Sequence, residues 1–164
     1  MVTIIIPYRR SCKDRERNLE FLISNISALR IPCIVAEQVD EWELDPKSSV
    51  SPEGVQRLYL KNDGLFQKSK LINMGVDNCD SKYVWLLDVD VYLDFQRIVK
   101  EIKNQDVIKP FSEIYHYCLE KTELYTRGKE EHKNINHLSS SDYYGKYSII
   151  LKKEIFHSVG GFDE

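Results

Sequence analysis

The chain has 164 residues, 42% of them apolar, and its 23 basic and 26 acidic side chains leave a net charge of −3. That length and apolar share suit one ordinary domain with a real core, and so near-balanced a charge excludes sequence-blind nucleic-acid affinity as a driving property. The longest apolar runs, such as Val2 to Pro7, are far too short to span a bilayer and follow no basic leader, so no transmembrane segment is expected and the chain reads as soluble. Cys12, Cys33, Cys79 and Cys118 are widely spaced without a Cys-x-x-Cys clip. Reduced thiols in a cytoplasmic setting are expected rather than disulfides or a zinc site.

The elements alternate along the chain. Val2 to Ile6 is a buried strand stopped by Pro7, and Leu19, Leu22, Ile23, Ile26 and Leu29 recur behind it at helical spacing. Cys33 to Ala36 is a second short strand. After a polar loop holding Pro46, Pro52 and Gly54, Val55 to Leu60 is a third. Phe66 to Val76 places Leu71, Ile72, Gly75 and Val76 on one helical face, and Tyr83 to Leu87 is a fourth strand. Leu93 to Ile102 reads as a helix, residues 126–142 as a polar loop, Gly145 to Leu151 as a strand, and Lys152 to Val159 as a short helix. Strands alternating with helices predict a central, mostly parallel sheet with helices on both faces. No internal repeat or low-complexity tract interrupts residues 1–164.

The fourth strand ends abruptly in Asp88-Val89-Asp90. Open α/β sheets bind ligands at the carboxyl ends of their strands. Two carboxylates so close repel each other unless a cation lies near them, and hard oxygen donors suit Mn²⁺ or Mg²⁺. An isolated Asp-x-Asp also ends strands as a solvated turn, and at this level both readings stand. A haloacid-dehalogenase-type phosphohydrolase also places Asp-x-Asp after an apolar strand. It does so at the first strand with a following Gly-Thr, whereas Val91-Tyr92 follow here after three strands.

Four segments together resemble successive motifs of the β-1,4-galactosyltransferase family and its bacterial relatives among the inverting nucleotide-sugar glycosyltransferases. They are Ile4 to Arg9, Phe66 to Gly75, Asp88-Val89-Asp90, and Gly160-Gly161-Phe162-Asp163-Glu164. The resemblance implies a GT-A fold, the Rossmann-like architecture of nucleotide-diphospho-sugar transferases. It implies a UDP-sugar donor, a glycan acceptor, and transfer of a hexose or N-acetylhexosamine, galactose-type as first choice. Pro7, Tyr8 and Arg9 map onto nucleotide contacts, and Glu37 with Gln38 onto a polar contact to the nucleoside. Phe66 and Lys68 fall beside the nucleotide, with Lys68 replacing an arginine and losing its bidentate fork. Asn73 orients the ribose or braces the Asp88 loop. Asp90 is the implied Mn²⁺ (or Mg²⁺) ligand, while Asp88, with Val89, meets the sugar or ribose and supports the metal.

Gly145 lies in a segment, Tyr143 to Ser148, similar to the family's sugar and acceptor contacts, although Lys146 and Tyr147 depart from that pattern. The family's catalytic base and a metal-binding histidine would follow Glu164, so the sequence reads as an amino-terminal catalytic portion. His116, His132, His137 and His157 are the remaining candidates for the metal shell. Lys13, Arg15 and Arg17 read as a solvated basic helix start. A non-catalytic UDP-sugar or glycan-binding module of the same fold is the alternative function.

Overall fold

The computed structural model describes residues 1–40, 51–111, 114–115, 137–138 and 148–163. In chain order the elements are β1 (Val2–Arg9), α1 (Lys13–Ala28), β2 (Cys33–Val39), β3 (Val55–Lys61), α2 (Lys68–Asp77) and β4 (Tyr83–Leu87). They continue with α3 (Phe95–Glu101), β5 (Val107–Ile108), β6 (Ile114–Tyr115), β7 (His137–Leu138), β8 (Ser148–Lys152) and α4 (Lys153–Ser158). Six strands form one sheet in the order β3-β2-β1-β4-β8-β5, and β6 pairs with β7 separately. Strands β1 to β4 are mutually parallel, and β8 runs antiparallel to both of its neighbours. This is the mostly parallel α/β architecture expected of a GT-A-like domain.

The period-2 alternation of strand side chains sorts the core into two layers. Val2, Ile4, Ile6 and Tyr8 of β1 face α1, packing with its Leu19, Leu22, Ile23 and Ile26 and with Phe95 of α3. Ile5, Ile34, Val84 and Leu86 face the other way, against Ile72 and Val76 of α2 and Phe156 of α4. Helices therefore cover both faces. Gly75 makes the α2 contact close: a Cβ there would lie 2.5 Å from Ile5 Cγ2.

The first strand runs through Pro7 rather than stopping at it. The Ile4 amide donates to Pro32 O on the β2 side, so by alternation residues 3, 5 and 7 turn their backbone toward β4. The β4 register ends at Ile5↔Leu86, so the missing Pro7 donor interrupts no ladder bond. Strand β2 likewise extends past Ala36, because Glu37, Gln38 and Val39 pair with β3, and Glu37 and Gln38 with β1 as well. Helix α2 starts at Lys68 instead of Phe66, since residues 62–67 are committed to a loop described below. The Asp94 carboxylate accepts from the Arg97 amide and starts α3, in keeping with a cap at that position. Among the described residues, no helix is long and apolar enough to cross a membrane.

Candidate functional site

The carboxyl ends of β1, β2 and β4 and the start of β8 share one sheet edge, fixed by the pairs Arg9↔Gln38 and Leu87↔Ser148. Successive parallel strands depart from β1 in opposite directions, with β2 on one side and β4 on the other, which makes this edge a topological switch point. A cleft of about 270 Å³ opens there, lined by Pro7, Lys68, Ser69, Leu87, Asp88 and Phe162 among others. Ser148 at its floor is buried and accepts a 2.7 Å hydrogen bond from the Trp85 indole, which satisfies both polar groups and locks β4 to β8.

The acidic motif forms a turn closed by the Val91 amide donating to Asp88 O. Val89, at its centre, packs into the core, and this leaves the two aspartates flanking a fixed point, with Asp90 exposed. Lys68 Nζ, on the first turn of α2, lies 2.6 Å from Asp88 Oδ1. Burial pushes the Asp88 carboxyl above its ordinary range, the Lys68 ammonium opposes that rise, Asp90 adds to it, and Arg15 opposes it. Arg15 thus belongs electrostatically to this site, although its place in a run of charges reads as a solvated face. No sequence signal separates it from Lys13 and Arg17. Asp88 and Asp90 are hard oxygen donors on one turn, and among the described residues no third His, Cys, Asp or Glu joins them as a metal cage. Such a pair fits a divalent cation that draws its other ligands from a diphosphate and water, the usual habit of Mg²⁺.

On the β2 side, Gln38 is 1% exposed and binds the loop between β3 and α2. Its Nε2 donates to Asn62 O at 2.9 Å and lies 3.2 Å from both Gly64 O and Leu65 O, while its Oε1 accepts from the Gln67 amide at 2.8 Å. Arg9 reaches the same loop, Nη1 donating to Gly64 O and Nη2 lying 3.4 Å from Asp40 Oδ1. The loop presents Leu65 and Phe66, both exposed, immediately ahead of Lys68. Glu37 turns to the other face of the sheet, where its buried carboxylate is 2.8 Å from Arg57 Nη1. The Tyr8 ring is 1% exposed within the α1 layer, and burial followed by the Glu37 charge raises its hydroxyl above the ordinary value.

Asn73, on α2, clamps the turn that follows α4. Its amide nitrogen donates to Phe162 O at 2.9 Å and its amide oxygen accepts from the Phe162 amide at 3.0 Å. This two-point clamp seats Phe162 at the cleft. The turn needs Gly160 and Gly161, both at positive φ, and a Cβ at Gly161 would lie 2.9 Å from Asn73 Oδ1. His157 is exposed on α4. Gly145, His116, His132 and residues 126–142, apart from the backbone of β7, lie outside the described residues, as does the side chain of His137.

No family model matches the chain, and no curated protein matches it. Solved structures resemble it in architecture. The apo-form glycosyltransferase GlyE in Streptococcus pneumoniae TIGR4 does so at 12% identity and a TM-score of 0.45, over 96% of this chain and 35% of that one. HddC from Yersinia pseudotuberculosis does so at 10% identity and a TM-score of 0.49, over 96% and 79%. A second GlyE structure matches at 12% identity and a TM-score of 0.44, again over 96% and 35%. The chain spans about a third of GlyE's length and about four fifths of HddC's. At such identities and TM-scores the likeness carries no argument, and function follows from this chain's own residues.

Proposed function

We propose that this chain is a donor-binding glycosyltransferase domain of the inverting, metal-dependent kind, moving a hexose or N-acetylhexosamine from a UDP-sugar to a glycan. A galactose-type sugar is the first choice, from the motif resemblance. The observation that carries the reading is the placement of Asp88-Val89-Asp90. The turn closes the central strand at the switch point, faces the Lys68 ammonium at 2.6 Å, and opens on the cleft that Ser69 and Phe162 line. Anionic phosphates suit this setting because Lys68 and Ser69, on the first turn of α2, line it, and the Arg15 charge acts on Asp88. Asp90 and Asp88 would hold Mn²⁺ or Mg²⁺. Such a cation supplies positive charge against the negative charge that develops on a departing diphosphate. Pro7 in the cleft lining and the exposed Phe66 of the preceding loop would offer apolar surface to a base and ribose, and Lys68 would hold the diphosphate as a point charge.

Calorimetry with UDP, with and without Mn²⁺, tests this reading, together with release of UDP from UDP-galactose, UDP-glucose and their N-acetylated counterparts. Cation-supported UDP binding and donor-selective release are expected. Equal UDP affinity in EDTA would remove the metal from the proposal, and no UDP binding under either condition would remove the nucleotide-sugar donor.

A further inference from the structure

We infer that Gln38 is a positioning residue for the donor site, acting through the loop of residues 62–67. The inference rests on the donor-site reading above. The apolar side chains of Cys33 to Val39 on the α2 face are interrupted by this one amide, which is 1% exposed and sits at the carboxyl end of β2. A buried amide is retained only where its donors and acceptor are all satisfied. Here every one of them is spent on a single loop: three carbonyls, of Asn62, Gly64 and Leu65, surround Nε2, and the Gln67 amide meets Oε1.

Gln67 is the residue from which α2 springs, so one side chain fixes both the curve of the loop and the starting point of the helix. What lies downstream is the site itself. Phe66 follows the carbonyl that Gln38 holds, and Lys68 is delivered to Asp88 by the amide before it. The loop closes on itself through the Gly64 amide donating to Asn62 Oδ1 at 2.7 Å, and the Asn62 amide returns to Val39 O at 2.9 Å. Arg9 adds a second hold on Gly64 O. The chemistry requires an amide: a carboxylate at this position could still accept from Gln67 but would turn its other oxygen toward three carbonyls, and an apolar side chain would leave them unpaired.

The test compares Gln38→Met, which keeps volume without charge, and Gln38→Glu with Thr3→Val, which breaks the buried Thr3–Ser81 hydroxyl pair at the opposite sheet edge. Each variant is read by amide hydrogen exchange, unfolding midpoint and calorimetric affinity for UDP with Mn²⁺. Both Gln38 variants are expected to speed exchange at residues 62–67 and to weaken UDP about tenfold. Thr3→Val should lower the midpoint while leaving UDP affinity and that loop unchanged. Wild-type UDP affinity in Gln38→Met would overturn the positioning role while leaving the donor site standing. So would a loss of affinity in Thr3→Val that matches its loss of stability. If Gln38→Glu fails to fold, Gln38→Met decides the matter. Failure of the wild type to bind UDP at all would overturn the donor-site reading and this inference with it.

Discussion

The two edges of the sheet make an instructive pair. At the amino-terminal edge, a cleft of about 410 Å³ is lined by Thr3, Cys33, Asn78, Cys79, Asp80 and Ser81 among others, with no basic side chain among the described lining residues and the Lys153 ammonium bonded to Cys79 O beside it. The cleft at the carboxyl edge is smaller, about 270 Å³, yet it holds Lys68 against Asp88 and lies within the field of Arg15. Size and chemistry part company. At the amino-terminal edge the hydroxyls of Thr3 and Ser81 satisfy each other at 2.7 Å, and burial pushes the Cys33 thiol up to about 12, well out of reach of nucleophilic chemistry. At the carboxyl edge a half-buried carboxylate is held above its ordinary range while cations face it. What distinguishes the carboxyl-edge cleft is a carboxylate and an ammonium 2.6 Å apart in its lining, not its volume.

The sharpest way to break this contrast is to neutralise one carboxylate at each edge. Asp90→Asn should weaken Mn²⁺-supported UDP binding about 10- to 100-fold, the scale of a lost charge-assisted contact. Asp80→Asn, at the larger cleft, should leave it unchanged. Isothermal calorimetry of both variants checks this, and a matching loss in Asp80→Asn would reduce the carboxyl-edge site to general charge attraction. Next in size is Lys68→Ala, expected to weaken UDP about tenfold, because this ammonium is 42% exposed and its contact is partly screened. Lys61→Ala, at the end of β3, should do little. Equal effects from the two lysines would argue against a defined phosphate contact.

A smaller effect probes the other edge on its own terms. Thr3→Val leaves the Ser81 hydroxyl without its buried partner and should cost about 1 kcal/mol, or about 2 to 4 °C in the unfolding midpoint. Differential scanning calorimetry measures it. Unchanged UDP affinity in the same variant would show that the two edges are energetically separable.

Much of this organisation was legible in the residues because it follows from short-range rules. Apolar runs located the strands, and the apolar spacing of Leu93 to Ile102 located α3 to within two residues. The Asp88-Val89-Asp90 turn fell where a strand had to end. What stayed hidden depends on partners distant in sequence. Pro7 looked like a strand stop because nothing local reveals that β4 ends its pairing before that residue. The Asn73 clamp on Phe162 was not legible because the two lie 89 residues apart. Arg15 could not be told from its charged neighbours without the tertiary placement of α1 beside the Asp88 turn. Gln38 did carry a signal: a buried amide on a strand face whose other residues are Ile34 and Ala36 has to be bonded to something.

The finest test of the contrast concerns what the carboxyl edge costs the fold. The folded-state pKa of Asp88 is raised, chiefly by burial. A carboxyl with a raised pKa contributes stability that is fully present below its unfolded-state value and is lost as pH rises through the folded-state value. At neutral pH the ionised Asp88 is therefore a net burden on the free protein, only partly relieved by Lys68. Asp88→Asn removes that burden and should unfold at the wild-type temperature or slightly above it at pH 7. The difference should close as acid protonates the wild-type carboxyl, and cation-supported UDP affinity should fall in the same variant. Thermal unfolding of both proteins across this pH range distinguishes the outcomes. A variant less stable than wild type at pH 7, with the deficit vanishing in acid, would mean that the Lys68 ion pair outweighs burial and that the turn is held for structure rather than for a ligand.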